Sequence, residues 1–266
     1  MIVEQGTLIM APTRTAPVMH GLLNLPTESI DDEASQSLLA VHRILEVELP
    51  PGNVAIYEAG GGSTSYLPPD LLARADVTVV DVDPAQVARC DYATTKRIGD
   101  IQTLRFDSET FDLVTCFNVI EHLPDVEGTL QGFSQAVRLG GLVFIGAPNP
   151  KSLSGVVTQF TPHWFHVWFY RHVLGDPNAG MPGCPPFPTV FHPLVRPPRL
   201  GAFMSKLGFD VLYERIYESP RYPDIRRRVP TFARAVDLAA TVMNLVLFNS
   251  ADVRHGDYHI VLRKVR

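Results

Sequence analysis

Residues Val54 to Tyr66 read V-A-I-Y-E-A-G-G-G-S-T-S-Y, and this stretch decides the fold. An apolar run typical of a buried strand reaches the acid Glu58, and three glycines follow shortly after it. These glycines are Gly60, Gly61 and Gly62. Glycine adopts positive φ and lets a ligand approach the bare backbone. The hydroxyl residues Ser63 to Ser65 then predict the cap of a helix near Tyr66, so the stretch predicts a nucleotide-type cradle.

The residues around this turn indicate which ligand it holds. A dinucleotide loop has the pattern G-x-G-x-x-G, and here Ser65 stands where the third glycine belongs. The carboxylate of Glu58 would repel a pyrophosphate, whereas it suits a ligand with an ammonium group and a positively charged sulfur. S-adenosylmethionine has both groups and no phosphate. The remaining motifs decide between the two ligands.

Composition limits the classes of protein that this chain can represent. Its 266 residues are enough for one main α/β domain with an insertion. The formal net charge of -5 argues against a non-specific nucleic-acid binder. The three cysteines show no C-x-x-C spacing, and the sequence begins without a signal-peptide pattern. We therefore expect a cytoplasmic protein with reduced thiols and no metal site.

Strand and helix signals alternate after the glycine turn. Val77 to Val82 is a second apolar run with Asp81 near its end, a short third strand ends at Asp100, and Phe111 to Phe117 precedes Asn118. This alternation predicts a parallel sheet whose strand ends meet at one edge. An acid at the end of the second strand is where α/β nucleotide sites hold ribose hydroxyls, which assigns that role to Asp81.

Six motifs follow one another in order: EAGGG, VVDVDP, GDIQTLRF, FDLV, NVIEHLPD and RLGGLVFIGAPN. Together they resemble the class I S-adenosylmethionine-dependent methyltransferases of the type 11 kind, from about Val54 to Pro150. The segments GFDVLYERI and DYHIVLRKV resemble the last two strands of that family. The resemblance implies an α/β, Rossmann-like sheet of seven mostly parallel strands with an antiparallel last strand and helices on both faces.

The resemblance and the glycine turn together give a set of residues for S-adenosyl-L-methionine. These are Glu58, Gly60, Gly61, Gly62, Ser63, Asp81, Val82, Asp100, Ile101 and Asn118. The resemblance implies that the acid and glycines of the turn line the methionine end and that Asp81 binds the ribose. It also implies that Val82 packs on the adenine and Asp100 accepts from the adenine amino group, beside Ile101. Asn118 would lie beneath the methionyl portion.

An aromatic and proline-rich insertion follows the fifth strand, over residues 148–198. Its segment TPHWFHVWFYRHVLG predicts one short helix that is capped by Thr161 and ended by Gly175. Both tryptophans of the chain, Trp164 and Trp168, fall on one face of this helix. Because the segment is apolar on nearly all sides, we expect it to be buried, to form a lid or to touch lipid. The alternatives are a lid over the methyl acceptor and a packed hairpin.

Two histidines are candidate catalytic bases. His122 follows the fourth strand and so belongs to the carboxyl edge of the sheet, and His163 lies in the insertion helix. His166 and His192 are weaker candidates in the same insertion, and for each histidine the alternative is a structural role. A base is needed only if the acceptor is protonated at its working pKa.

The C-terminal part carries a basic cluster and a second apolar helix. Arg221 and the run Arg226 to Arg228 form the cluster, which either recognises a phosphate or carboxylate or is solvated. The helix from Phe232 to Phe248 is expected to contact the lid, a second subunit or a membrane surface. We thus predict an arm over residues 1–30 and one methyltransferase domain over residues 31–266, with insertions at 148–198 and 218–250.

The predicted function is methyl transfer from S-adenosyl-L-methionine to an oxygen or nitrogen of a small molecule, such as a secondary metabolite, glycan or lipid-linked intermediate. The product is S-adenosyl-L-homocysteine. The fourth strand is followed by NVIE, which differs from the motif of nucleic-acid base methyltransferases and disfavours DNA and RNA. The alternatives are an NAD(P)-dependent oxidoreductase, which Glu58 disfavours, a non-catalytic S-adenosylmethionine-binding protein and a membrane-surface scaffold.

Overall fold

The computed structural model describes residues 32–181, 183–246 and 255–266. The apolar run before the glycine turn forms the first strand, and six further strands follow it. The strands are β1 (Val54–Ala59), β2 (Ala75–Asp81), β3 (Thr95–Ile98), β4 (Phe111–Phe117), β5 (Val137–Pro148), β6 (Phe209–Tyr217) and β7 (Asp257–Lys264). They form one sheet in the order β3-β2-β1-β4-β5-β7-β6.

The sheet is parallel except at its last strand. The pairs β1–β2, β1–β4, β2–β3 and β4–β5 are parallel, and β7 runs antiparallel to both β5 and β6. This topology confirms the predicted fold class. Since β1 to β4 run in the same direction, the residues that follow them meet at one edge, as the strand pattern predicts.

Helices cover both faces of the sheet. They are α1 (Glu33–Glu48), α2 (Pro69–Ala73), α3 (Pro84–Arg89), α4 (Val126–Ala136), α5 (Leu153–Phe160), α6 (His163–His172), α7 (Pro197–Lys206), α8 (Arg221–Arg228) and α9 (Pro230–Val246). One apolar core joins α4 and α7 to the sheet, with Tyr57 of β1 at its centre. The other joins α1 and α2 to Ile56 of the same strand. Successive residues of a strand point to opposite faces, which is why Ile56 and Tyr57 belong to different cores.

The helix after the glycine turn begins later than the sequence predicts. We expected it near Tyr66 with a hydroxyl cap, but α2 begins at Pro69, and its N-cap Pro68 makes no side-chain cap. Each residue before a proline is disfavoured in the α conformation, so the L-P-P sequence delays the helix. The Ser65 hydroxyl donates instead to the Glu58 carboxylate and accepts from the Leu67 N–H at 3.2 Å.

The first insertion contains a further helix, α5, before the one that the sequence predicts. The short α5 precedes α6, and Pro162 is the N-cap of α6. The expected cap by Thr161 is wrong, because its hydroxyl donates backwards to the Val157 carbonyl at 2.6 Å and so ends α5. The helix α6 contains no buried residue, which excludes the predicted burial of this segment.

The second insertion, α8 and α9, lies against the first. The rings of Phe169 and Phe232 are 6.1 Å apart, and the Arg221 guanidinium lies over the Tyr170 ring. The predicted arm at residues 1–30 and the last residues of the predicted second insertion, 247–250, lie outside the described residues. Within the described ranges, no helix is both long enough and apolar enough to cross a membrane.

Candidate active site

Glu58, near the end of β1, is a buried carboxylate beneath the glycine turn. Its side chain is 3% exposed and accepts hydrogen bonds from the hydroxyls of Ser65 and Tyr92. Burial raises the pKa of Glu58 to about 7, and the two hydroxyl donors oppose that rise. Tyr92 is a partner that the sequence did not reveal, because it lies 34 residues along the chain. A buried acid of this kind favours a cationic ligand group, which restores its charge.

Gly60 and Gly61 leave no room for side chains, and Gly62 needs glycine for its positive φ. Gly60 has φ +72°, and a Cβ built on it would lie 2.8 Å from Val119 Cγ1. A Cβ on Gly61 would lie 2.9 Å from the Cβ of Glu58. Gly62 has φ +56° and faces the carboxylate of Asp81, whose Oδ2 would be 3.6 Å from an added Cβ. The turn is therefore tight, and the Gly60 N–H ties it to the end of β2 through the Val80 carbonyl at 2.7 Å.

A small, partly open cleft lies beneath this cradle. Its walls include Glu58, Gly61, Tyr66, Leu67, Thr115 and Phe144. The Tyr66 ring stacks on Phe117 at the end of β4, with ring centroids 3.7 Å apart. An acidic group thus lies in the wall of a partly aromatic cleft.

The end of β2 offers a carboxylate and an apolar surface side by side. Asp81 accepts a hydrogen bond from the Asp83 N–H at 2.8 Å. Burial raises the pKa of Asp81, while the nearby N–H groups of the turn oppose the rise. The next residue, Val82, is 66% exposed, so its apolar side chain is open to a ligand. Ser63 donates to the Gln86 side chain at 2.9 Å and ties the turn to α3.

The residues after β3 lie at the same edge with a small shift from the prediction. The strand ends at Ile98, so Asp100 lies two residues beyond it rather than at its end. The Asp100 carboxylate accepts from the Gln102 N–H at 2.9 Å and from the Gln102 side-chain amide at 3.1 Å. Ile101 is buried in the core and anchors this turn. The structure thus gives Asp100 a local partner that the sequence interpretation did not include.

Asn118 directly follows β4 and has an unusual backbone. Its φ is +54°, which places a residue other than glycine in the left-handed region. Its N–H donates to the Gly146 carbonyl of β5 at 2.8 Å, so sheet pairing fixes this conformation. The side chain is exposed and lies beside the hydroxyl of Tyr66. Strained backbone of this kind is concentrated at functional sites.

His122 ends the short 3₁₀ turn Ile120–His122 and is held by the insertion. Its Nδ1 lies 2.7 Å from the Pro188 carbonyl, which fixes the proton on that nitrogen and leaves a lone pair on Nε2. Nε2 lies 3.5 Å from Oε1 of Glu121. Burial lowers the pKa of His122, so the ring is neutral at neutral pH.

Glu121 is a second buried carboxyl group, which sequence reasoning missed. It is 4% exposed, and its Oε2 has no hydrogen-bond partner among the described residues. Burial raises its pKa to about 8. The E-H pair is visible in the sequence, but the burial of the acid depends on the insertion and on the β7 strand. No local sequence pattern predicts the burial of Glu121.

The proline-rich loop of the insertion lies across the carboxyl edge. We define the insertion loop as residues 173–181 and 183–192. The N–H groups of Val190 and Phe191 both donate to the Glu121 carbonyl, at 2.9 and 3.0 Å. At its other side, the Gly183 carbonyl accepts from the Gln86 side chain at 3.3 Å. The loop therefore contacts the residues after both β2 and β4.

The aromatic helix α6 of the insertion is exposed. Trp164 and Trp168 are 69% and 47% exposed. His163 is exposed at the start of α6, and its ring faces that of His166 at 6.2 Å. Among the described residues, no hydrogen bond joins His163 to the strand ends. The structure thus places His122 on the segment that directly follows β4, at the carboxyl edge, whereas His163 lies on the exposed helix α6.

Comparison with known proteins points to one family. Residues 57–145 match a protein-family model described as "Methyltransferase domain". A ubiquinone biosynthesis O-methyltransferase of Colwellia psychrerythraea is 33% identical over 100 residues, which are 34% of this chain and 39% of that protein. The protein of the same name from Hahella chejuensis is 26% identical over 171 residues, 56% of this chain and 63% of its own length. The matches thus span part of each relative.

Solved structures share the fold. A phosphoethanolamine N-methyltransferase 2 of Haemonchus contortus, in complex with S-adenosyl-L-methionine, superposes with a TM-score of 0.52 at 18% identity. That match covers 87% of this chain and 53% of the other. A geranyl diphosphate C-methyltransferase of Streptomyces coelicolor A3(2) superposes with a TM-score of 0.51 at 14% identity, over 85% of this chain and 78% of the other.

Proposed function

We propose that the chain is a class I S-adenosylmethionine-dependent methyltransferase that transfers the methyl group of S-adenosyl-L-methionine to a small-molecule acceptor, a proposal supported by the match of residues 57–145 to a methyltransferase domain and by the similar O-methyltransferases. The observation that carries this proposal is the buried Glu58 carboxylate beneath the glycine cradle. A carboxylate at this position suits an ammonium group and repels a pyrophosphate. The turn requires glycine at Gly60, since an added Cβ would meet Val119.

The residues present fit the cofactor group by group. Glu58 would hold the ammonium group, and Asp81 would accept hydrogen bonds from the ribose hydroxyls. The exposed Val82 would pack on the adenine, and Asp100 would accept from the adenine amino group. Asn118 would support the methionyl portion. When bound, S-adenosyl-L-methionine supplies a methyl group that its positive sulfur has already activated.

The chain contributes positioning and exclusion of water. Holding two reactants in line is worth about 7 to 11 kcal/mol of the barrier. The insertion loop lies across the strand ends and is held there by the Glu121 carbonyl and by Gln86, so it suits the role of a lid. The lid interpretation of this insertion is part of the proposal.

A base is needed if the acceptor is a protonated hydroxyl. His122 is the stronger candidate, because the Pro188 carbonyl fixes its tautomer and its low pKa keeps Nε2 free to take a proton. His163 is the second candidate and lacks such a tether among the described residues. Glu121, whose Oε1 lies 3.5 Å from Nε2 of His122, would orient that ring.

An oxygen nucleophile fits the relatives best, because the curated proteins that match are named O-methyltransferases. A nitrogen nucleophile stays the alternative. The acceptor is taken to be a small molecule rather than a nucleic acid, which agrees with the net charge of -5. A protein that binds S-adenosyl-L-methionine without transferring methyl, and an NAD(P)-dependent oxidoreductase, are outcomes that the next experiment separates.

Calorimetric titration with S-adenosyl-L-homocysteine is expected to show binding that strengthens about tenfold between about pH 6 and pH 8. Glu58 has a pKa of about 7 in the free protein and must ionise to pair with the ammonium group, so binding releases a proton below that pH. Because the pKa of Glu58 is higher in the folded protein than in the unfolded chain, the free energy of unfolding falls as the pH rises through about 7. NADH and NADPH should not bind.

Glu58→Gln is the matched control, since it keeps the shape and removes the titration. Its affinity should be weaker at pH 8 and independent of pH over this range. Binding of NADH in place of S-adenosyl-L-homocysteine would contradict the proposed cofactor. Binding that stays constant with pH in the native protein would contradict the role of Glu58. Tritiated methyl transfer to a panel of hydroxylated small molecules then distinguishes an enzyme from a binding protein.

We propose that the exposed apolar residues of the two insertions contact an anionic membrane surface. Trp164 and Trp168 are exposed on α6, and Leu238, Val242 and Leu245 are exposed on one side of α9. Arginines of α8 adjoin both helices. Aromatic and aliphatic residues next to arginines are typical of segments that rest on anionic lipid.

The variant Trp164→Ser/Trp168→Ser is expected to lose at least half of its flotation with phosphatidylglycerol-containing vesicles, about a twofold effect. The reason is that each tryptophan contributes apolar area when it enters the lipid. Neutral phosphatidylcholine vesicles should bind the native protein less. Leu139→Ser, which changes an apolar residue with 60% exposure on β5, is the control and should float normally. A protein that never floats, or that covers this surface in a stable dimer by light scattering, would contradict the membrane contact.

A further inference from the structure

Five ionisable side chains lie together above the ends of β4 and β5, beside the proposed cofactor site. They are Tyr66, Glu121, Tyr170, Arg221 and Asp257. Asp257 begins β7 opposite Pro148, the last residue of β5, so the antiparallel register brings it to the carboxyl edge. The charge of Arg221 lowers the pKa of each of the other four groups, while burial, the larger effect, raises them.

Arg221 is the cation of this cluster, and in the described part of the chain its guanidinium contacts an aromatic ring rather than an acid. Its guanidinium carbon lies 5.4 Å from the centroid of the Tyr170 ring. Among the described residues, no carboxylate lies within 4 Å of it. Arg226, one turn further along α8, differs because Glu218 and Asp237 hold it at 2.9 and 3.6 Å. The donors of Arg221 are therefore open to a ligand.

The two nearby acids do not neutralise the charge of Arg221. Asp257 faces Ser219, whose hydroxyl stabilises its charge. Glu121, with a pKa of about 8, is mostly protonated at neutral pH. The contact with the Tyr170 ring holds the guanidinium in place by a cation–π interaction without satisfying its hydrogen bonds. The cluster thus presents a planar fork of donors beside two tyrosine rings.

We propose that Arg221 binds an oxyanion, a carboxylate or a phosphate, on the methyl acceptor, so that the acceptor is an anionic ring compound with a nucleophilic hydroxyl. This inference rests on the proposed methyl transfer. The guanidinium fork matches both oxyanions in a bidentate manner, which fixes orientation as well as position. The Tyr170 ring contacts the guanidinium and the charge of Arg221 also reaches Tyr66, so aromatic rings adjoin this cation and suit a planar body on the acceptor.

The test uses benzoate, benzamide and phenyl phosphate as probes, titrated by ligand-observed NMR with and without S-adenosyl-L-homocysteine. Benzoate should bind about tenfold more tightly than its neutral isostere benzamide, in keeping with a charge-assisted bidentate pair. Arg221→Gln should remove this preference and leave the affinity for S-adenosyl-L-homocysteine unchanged. Arg226→Gln removes the same charge from a paired arginine of the same helix and should keep the preference. Comparison with phenyl phosphate decides which oxyanion the site favours.

Three results would overturn the inference: equal binding of benzoate and benzamide, no binding of any probe, or an equal loss in Arg226→Gln and Arg221→Gln. The last result would mean that general charge, rather than Arg221, attracts the anion. Failure of S-adenosyl-L-homocysteine to bind contradicts the proposed function instead. Since the probes are also titrated without it, the anion preference is decided either way.

Discussion

Replacing Asp81 with alanine is expected to weaken the binding of S-adenosyl-L-homocysteine about 100-fold. A carboxylate that accepts from both ribose hydroxyls makes two charge-assisted hydrogen bonds, each worth about 1.5 to 3 kcal/mol. A loss of about 3 kcal/mol corresponds to a factor of about 100 in affinity. The measurement is a calorimetric titration at about pH 8, where Glu58 is ionised and contributes equally in both proteins.

The neighbouring acid Asp83 provides a matched control. It lies two residues further on and caps α3, where its carboxylate accepts from the Ala85 N–H at 2.8 Å. Asp83→Ala should lower the free energy of unfolding by about 1 kcal/mol, the usual value of a helix cap, and leave the affinity nearly unchanged. If both variants lost affinity equally, the effect of Asp81 would come from the structure of the strand end, and the ribose role would be wrong.

The sheet could be predicted from the sequence because its strands are short apolar runs bounded by clear breaks. β4 runs from Phe111 to Phe117, as predicted, since six of its residues are buried and no other element competes for them. The starts of the helices were harder to predict where prolines restrict the backbone. α2 begins at Pro69 instead of near Tyr66, and α6 is capped by Pro162 instead of Thr161. In both places a proline restricts the backbone, and this restriction outweighed the preference of a nearby hydroxyl residue for the cap position.

The sequence could predict the position of the acids and glycines of the candidate site at the sheet edge. It could not predict the side chains that contact them. Glu58 and Asp81 stand at strand ends, and topology alone brings such positions to one edge. The Tyr92 hydroxyl on Glu58 and the burial of Glu121 depend on contacts between distant segments. Arg221 is in a basic run in the sequence, and only the packing of α8 on α6 separates it from the paired Arg226. Such differences arise from tertiary structure.

Gly60→Ala is expected to lower the free energy of unfolding by about 3 kcal/mol and to abolish measurable binding of S-adenosyl-L-homocysteine. Two effects add. The φ of +72° costs an alanine about 1 to 2 kcal/mol, and overpacking against Val119 adds about 1 to 3 kcal/mol. The affinity falls further, because a displacement of Val119 also moves the glycine turn and the neighbouring residue Asn118. Denaturant unfolding and calorimetry measure the two losses.

Two companion variants separate these effects. Gly140 has a similar φ of +80° with no atom within 4 Å of an added Cβ, so Gly140→Ala should show the backbone cost alone, about 1 to 2 kcal/mol, with normal binding. Gly60→Ala/Val119→Ala should recover much of the packing loss and some of the binding, giving a favourable coupling between the two sites. Equal losses in Gly60→Ala and Gly140→Ala would mean that Val119 yields without cost. The turn would then tolerate a side chain at Gly60, and the packing argument for glycine at this position would be wrong.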